Sequence, residues 1–305
     1  MATNTVAGFV GLGMMGLPMA EHLAASAGMD VRVYDQSAAR IELLHAHPAW
    51  GHALHAVSSL RDLAVCDVVI TMLPNSAVTD AVVLGDPQNP GLCTVLKAST
   101  VVVDMGSSDP VRTRELAQRM AKDGITLLDA PVSGSVAKAR SGTLSIMVGG
   151  PDAAFDRVRA VLQAMGSQLI RTGEVGSAHA MKALNNYVYA AGLLATSEAL
   201  LVARRMGLDL NVFADVLNAS SGRNVATETK LRQFMISREF NGGFALGLQA
   251  KDLATARGLQ QATGVKAPQM NLCADLWKQA VNELEVGVDN TAILRLLERH
   301  SGIDT

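Results

Sequence analysis

Phe9-Val10-Gly11-Leu12-Gly13-Met14-Met15-Gly16 is the stretch that decides the fold. It follows an apolar run with strand character and opens a helical pattern, so its Gly-x-Gly-x-x-Gly spacing falls where a strand turns into a helix. Gly11 permits the tight turn, Gly13 lets the backbone approach a pyrophosphate, and Gly16 allows helix and strand to pack closely. Leu12, Met14 and Met15 fill the turn between them. The free N–H groups and positive end of the following helix suit phosphate oxygens. A second strand ends in Tyr34-Asp35, at the distance of about 20 residues where such turns carry an acidic partner. A carboxylate there accepts hydrogen bonds from both ribose hydroxyls and repels a 2′-phosphate. Asp35 therefore favours NAD over NADP, with Arg32 and Arg40 near enough to soften the preference. The bland alternative for Asp35 is a turn residue capping the next helix.

Outward from this turn, short apolar runs alternate with amphipathic stretches. Strand candidates are residues 6–10, 31–34, 68–72, 101–104, 126–128, 144–148 and 168–171, with helical patterns over 110–121 and 152–165. Apolar strands alternating with helices predict an α/β fold, a mainly parallel sheet covered on both faces. From about residue 178 to 206 runs one long pattern rich in Ala and Leu, and later helices are expected at 210–217, 228–236, 248–263, 269–281 and 291–299. The turn-rich Thr172-Gly173-Glu174-Val175-Gly176 marks the boundary. Residues 1–172 are expected to form a dinucleotide-binding domain, and 173–305 an all-α domain for substrate and dimerisation, with the long helix joining them.

Composition removes several other functions. With 49% hydrophobic and 18% charged residues, 305 residues suffice for substantial cores. A net charge of −2 provides no basic field for nucleic acid or an anionic membrane. Cys66, Cys93 and Cys273 form neither a disulfide framework nor a metal cluster, which fits a reducing compartment. No basic segment followed by an apolar core opens the chain, so a cytoplasmic protein is expected. The most apolar stretch, 187–203, carries Glu198 and is shorter than the roughly 20 residues that span a bilayer. It reads as a core helix. His45, His47, His52 and His55 do not match a zinc motif and are interrupted by Pro48, so no metal is expected. The methionines fill core space rather than ligate metal.

Chemistry concentrates later in the chain. Lys182 and Asn186 are four apart, on one face of the long helix. A lysine on a largely apolar helix needs a reason, because desolvating an ammonium is costly. An enzyme that takes a proton from an alcohol supplies one. Tyr189, seven residues beyond Lys182, shares that face and lines either a pocket or the core. Leu73-Pro74-Asn75-Ser76, Asp104-Met105-Gly106-Ser107-Ser108 and Asp129-Ala130-Pro131-Val132-Ser133-Gly134-Ser135 each follow a strand, at the end of the sheet where ligands bind in open α/β folds. Ordinary turn chemistry accounts for the same residues.

Three motifs together resemble the β-hydroxyacid dehydrogenase family, which includes 3-hydroxyisobutyrate dehydrogenase and tartronate semialdehyde reductase. They are Gly11-Leu12-Gly13-x-Met15-Gly16-x-Pro18-Met19-Ala20, Asp129-Ala130-Pro131-Val132-Ser133-Gly134, and Gly176 with Lys182 and Asn185-Asn186. Gly242-Gly243-Phe244 and Lys251-Asp252-Leu253 extend the likeness into the last third. The resemblance implies a Rossmann domain, a long interdomain helix and a helical domain, assembled as a homodimer or homotetramer. It implies that Lys182 is the acid/base and that Asn186 holds the substrate. Ser133, Gly134, the adjoining Ser135 and Phe244 fall on substrate-binding positions, while Leu73, Pro74, Ser107 and Lys251 fall beside the dinucleotide. The substrate it implies is a small β-hydroxy acid, oxidised with NAD or NADP.

The sequence departs from the family at Ser135, usually glycine, at His22, often asparagine, and at Val225, a tryptophan in 3-hydroxyisobutyrate dehydrogenases. The last change would reshape the pocket. Free lysine has a pKa of about 10.4, so a base working near neutrality must be shifted down by burial or positive neighbours, and oxidation should quicken on the alkaline side. An imine reductase would share the fold but typically replaces the lysine. A non-catalytic NAD-binding scaffold would keep the turn and lose the acid/base. A 6-phosphogluconate dehydrogenase would need a longer helical region.

Overall fold

The structure is a computed structural model and describes residues 5–303. It divides into two compact units, one ending at Lys182 and one beginning at Ala183.

The first unit holds nine strands: β1 (Thr5–Val10), β2 (Met29–Tyr34), β3 (Leu54–Ala56), β4 (Val68–Thr71), β5 (Val101–Asp104), β6 (Thr126–Asp129), β7 (Val132–Ser133), β8 (Leu144–Gly149) and β9 (Gly166–Gly173). They form one sheet in the order β3-β2-β1-β4-β5-β6-β8-β7, with β9 also paired to β8. Pairings from β3 through β6 are parallel, β8 runs antiparallel to β6 and β7, and β9 is parallel to β8. Helices α1 (Gly16–Ala25), α2 (Ala38–Glu42), α3 (Ser76–Leu84), α4 (Leu92–Val95), α5 (Pro110–Ala121), α6 (Val136–Arg140) and α7 (Asp152–Gln163) connect the strands.

Alternation along the central strands supplies both faces of the sheet. Val68, Ile70, Val101 and Val103 pack with Phe9, Leu23 and Phe155 in one core. Val69 and Val102 pack with Leu116, Met120 and Leu127 in another. With both faces covered, β4 and β5 read as unbroken apolar runs. From β1 the chain winds outward to β2 and β3, then returns to β4 on the other side. This reversal opens a crevice at the carboxyl ends of β1 and β4.

The helix α8 (Ser177–Arg205) is 29 residues long and runs from the first unit into the second. The second unit adds α9 (Leu210–Ala219), α10 (Leu246–Thr263), α11 (Pro268–Glu283) and α12 (Ile293–His300). Their core encloses Trp277, Leu193, Leu253, Ile293 and Leu297. Asp209 caps α9 through the N–H groups of Asn211 and Val212, and the left-handed Gly264 ends α10. Residues 228–236, expected as an ordinary helix, fall in a wide π-type helix (Thr227–Ile236). Its buried Thr227, Leu231 and Met235 recur every four residues, a spacing that both helix types satisfy. No helix among the described residues is long and apolar enough to cross a membrane.

Candidate active site

The glycine turn is closed at two points and open at a third. Gly11 has φ +99°, and a Cβ there would lie 2.5 Å from the Met72 carbonyl oxygen. A Cβ at Gly16 would run into the Gly11 carbonyl, whereas one at Gly13 would meet nothing within 4 Å. Gly13 and Met14 are exposed, so backbone is bare at the point where this motif would admit a pyrophosphate. No side chain caps α1, and its first turn carries no acid. By contrast, Asn75 caps α3 and Asp109 caps α5. Leu17 and Met19 donate to the Gly13 and Met15 carbonyls and Pro18 has no N–H, so an anion would draw on the N–H groups of Gly13 to Gly16. These residues fit a dinucleotide.

Asp35 stands at the end of β2, half-buried. Its Oδ2 accepts the Leu12 N–H at 2.7 Å and its Oδ1 accepts the Ser37 N–H at 2.8 Å. The adjacent Tyr34 carbonyl accepts the Gly11 N–H at 3.0 Å. Asp35 thus fastens the turn, and each oxygen keeps a lone pair for a further donor. Arg32 is committed to Asp30 at 3.1 Å in mid-strand, while Arg40 is exposed on α2.

Loops from β4 and β5 meet the turn. The Leu73 side chain would be 3.1 Å from a Cβ at Gly11, and its carbonyl 2.8 Å from one at Gly106. The Asp109 N–H donates to Ser76 Oγ at 2.7 Å, joining the two loops. Pro74 is exposed at this rim and Ser107 half-buried. Ser133, expected in a loop, forms β7 with Val132 and pairs with Ser145. Two residues carry no periodic signal, which explains the difference. Gly134 (φ +138°) and Ser135 follow, both exposed, with Lys138 folded close over Gly134. His22 bonds the Arg140 carbonyl at 2.8 Å.

Where β6 ends, Asp129 reaches the start of α8. Its Oδ1 accepts the Gly176 N–H at 2.7 Å and its Oδ2 the His179 N–H at 2.9 Å. A carboxylate on the first turn of a helix satisfies orphan donors and complements the helix dipole. Lys182 follows three residues later, half-buried.

Within the second unit, Asn186 is 6% exposed. Its Nδ2 donates to Asp252 Oδ2 at 2.5 Å, its Oδ1 accepts from Asn185 at 3.1 Å, and its carbonyl accepts from Gln249 at 3.0 Å. One amide hydrogen of Asn186 remains for another acceptor. Lys251 Nζ lies 3.4 Å from Asp252 Oδ1. Phe244 is held by its backbone, with its N–H to Asp289 at 2.9 Å and its carbonyl to Asn290 at 2.7 Å. Tyr189 packs against the core while its hydroxyl accepts from Asn290 at 3.3 Å. Burial pushes the Tyr189 phenol up to about 12. Val225 is 56% exposed. Sequence alone gives Asp252 and Gln249 no role. Their positions three apart on one helix were the available signal. Among the described residues, no group of three or more His, Cys, Asp or Glu is placed to hold a metal.

A doubly wound sheet with an open glycine turn and an acidic second strand end defines an NAD(P)-binding oxidoreductase fold. Comparison with known proteins sharpens that class. Residues 6–173 match the NAD-binding domain of 6-phosphogluconate dehydrogenase, and residues 176–297 match the NAD-binding domain of NADP-dependent 3-hydroxyisobutyrate dehydrogenase. The 2-(hydroxymethyl)glutarate dehydrogenase of Eubacterium barkeri is 33% identical, over 97% of this chain and 96% of that protein. The 3-hydroxyisobutyrate dehydrogenase of Pseudomonas aeruginosa is 36% identical, over 94% and 97%. The solved Mycobacterium tuberculosis 3-hydroxyisobutyrate dehydrogenase with L-serine has a TM-score of 0.86 and 29% identity, covering 97% of this chain and 99% of that one. The chain belongs to the β-hydroxyacid dehydrogenase family and is an NAD(P)-dependent hydroxyacid dehydrogenase of the 3-hydroxyisobutyrate dehydrogenase type.

Proposed function

We propose that the chain oxidises a small β-hydroxy acid, with NAD preferred over NADP and Lys182 as general acid/base. The observation that carries this reading is the Asp129 bridge. It ties the first turn of the helix bearing Lys182 to the strand that leads into Ser133, Gly134 and Ser135. 3-Hydroxyisobutyrate, 2-(hydroxymethyl)glutarate and L-serine, named with the relatives, share a primary alcohol one carbon removed from the carbon bearing a carboxylate. That common element supports the substrate class.

Bound NAD(P) supplies the hydride acceptor in oxidation and the donor in reduction. The Lys182 amine takes the hydroxyl proton as the carbonyl forms, and its ammonium returns that proton in the reverse direction. Asn186 gives its remaining amide hydrogen to a substrate oxygen, with Asp252 fixing the amide plane. The Ser133 and Ser135 hydroxyls and the Gly134 N–H receive carboxylate oxygens, and Phe244 bounds the substrate. Gly11 to Gly16 take the pyrophosphate, with Tyr34, Leu73, Pro74, Ser107 and Lys251 beside the cofactor. In this reading residues 1–172 serve the cofactor and 173–305 the substrate and subunit contacts.

Asp35 supports the NAD preference by placing a carboxylate at the end of β2. A ratio of kcat/KM for NAD over NADP below one would overturn it. An exposed stripe on α8 supports a homodimer or homotetramer, with Leu184, Val188, Ala195 and Val202 on one face. Sedimentation as a monomer at micromolar concentration would exclude it.

The test of the acid/base is Lys182→Ala assayed against a β-hydroxy acid panel. Turnover should fall by about 10²–10⁴-fold, the usual worth of general acid/base catalysis, while NADH binding stays near wild type. Substantial turnover in that variant would remove Lys182 from the role.

A further inference from the structure

Between two buried carboxylates of the first unit lies the ring of His179, 1% exposed. Its Nδ1 is 2.9 Å from Thr113 Oγ1 and 4.0 Å from Asp129 Oδ2, and its Nε2 is 3.8 Å from Asp104 Oδ2. The Thr113 hydroxyl hydrogen points to the Asp109 carbonyl at 2.9 Å, so Nδ1 is the donor in the His179 contact. Nε2 is buried without a hydrogen-bond partner. Asp104 accepts from the Thr71 hydroxyl at 3.1 Å, the Gly106 N–H at 3.1 Å and the Ser108 hydroxyl at 2.7 Å. Asp129 accepts backbone N–H groups at the α8 start. A cluster so enclosed is costly to bury unless it is hydrogen-bonded, and apart from Nε2 its bonds run to five elements: β4, β5, β6, α5 and α8.

We propose that Asp129, His179 and Asp104 form a positioning network that fixes the first turn of α8, and thereby the Lys182 amine, against the loops after β4 and β5. The proposal rests on Lys182 being the acid/base. Gly149 is built to admit the network. It pairs with Asp129 across β6 and β8, and a Cβ there would lie 2.5 Å from Asp129 Oδ1 and 2.8 Å from Ser177 Oγ. Because Lys182 is one turn beyond His179, a shift of that turn moves the amine with it. Misplacing a reacting group by about 1 Å costs on the order of 10²-fold in rate.

The test compares His179→Leu, His179→Asn and Gly149→Ala in the full-length protein. His179→Leu should lower kcat by about 10- to 100-fold, with KM and NADH affinity held within about threefold. The asparagine amide nitrogen lies near the place of Nδ1 and can donate to Thr113, so His179→Asn should recover most of kcat. Gly149→Ala removes no polar group and should reproduce the kcat loss. In a Lys182→Ala background, His179→Leu should not slow single-turnover hydride transfer further, because residues acting through one another are non-additive. NADH binding in each variant reports that the cofactor domain is folded. His179→Leu with wild-type kcat, or a loss equally large without Lys182, would overturn the positioning role alone. An active Lys182→Ala would overturn the acid/base reading as well.

Discussion

Replacing Asp252 tests whether the second unit presents Asn186 in a fixed orientation. The Asp252 carboxylate is 3% exposed and takes the Asn186 amide at 2.5 Å, a charge-assisted hydrogen bond away from water. Such bonds contribute about 1.5–3 kcal/mol. If the whole of that orientation is expressed in the transition state, Asp252→Ala lowers kcat/KM by about 10- to 150-fold, at 1.36 kcal/mol per tenfold. Asp252→Asn keeps an oxygen acceptor without the charge. A neutral bond is about half as strong, so the loss should be about 3- to 12-fold. Both variants also remove the charge 3.4 Å from Lys251 Nζ. The loss of charge is thus common to both, and the difference between them reads the hydrogen bonding of residue 252, the Asn186 contact included. The assay is initial-rate oxidation of the β-hydroxy acid that the wild type turns over best in a panel, at saturating NAD, with NADH fluorescence reporting cofactor affinity. Wild-type kcat/KM in Asp252→Ala, or an asparagine variant weaker than the alanine one, would refute the reasoning.

Glu298 offers a test by acid. Burial alone would raise its pKa, yet the hydrogen bonds and charges of Arg238 and Arg204 hold it below the ordinary value of 4.5. A depressed carboxylate contributes stability above its unfolded pKa and loses it as pH falls through the folded one. The melting temperature should therefore drop as pH falls below about 4.5, and Glu298→Gln should flatten that slope. At neutral pH the same variant should cost about 2 kcal/mol, less than a fully enclosed pair, because both arginines reach solvent. A slope unchanged in Glu298→Gln would rule this out. Tyr189 separates two sources of alkaline activation. With its phenol at about 12, Tyr189→Phe should leave any rise in oxidation rate between about pH 7 and 10 in place. Loss of that rise would make Tyr189, not Lys182, the titrating group.

Much of the fold is legible in local pattern. Pro110–Ala121 is read from sequence with its observed bounds, because Asp109 and Pro110 mark the start and apolar residues recur at helical spacing. Val101–Asp104 is equally plain, since a strand covered on both faces is an unbroken apolar run. The short strands β3 and β7 leave no such trace. Thr227–Ile236 hides its wider winding because ten residues with a four-residue repeat suit either helix. In the candidate site, what motifs and spacing mark is local: the glycine turn, Asp35, and Lys182 with Asn186. What they do not mark is contact between distant segments. Asp129 meets His179 across 50 positions and Asn186 meets Asp252 across 66. Nothing in the spacing of His179 between Gly176 and Lys182 announces a ring enclosed by two carboxylates.

The double tether of Asp35 to Leu12 and Ser37 constrains how this enzyme can be re-engineered. If NAD is preferred as proposed, exchanging the aspartate for a neutral residue to admit a phosphorylated ribose would also unlatch the glycine turn. An NADP-directed redesign that retains the carboxylate and recruits the exposed Arg40 should keep the turn in place. One that begins by deleting Asp35 should trade selectivity for a looser grip on both coenzymes.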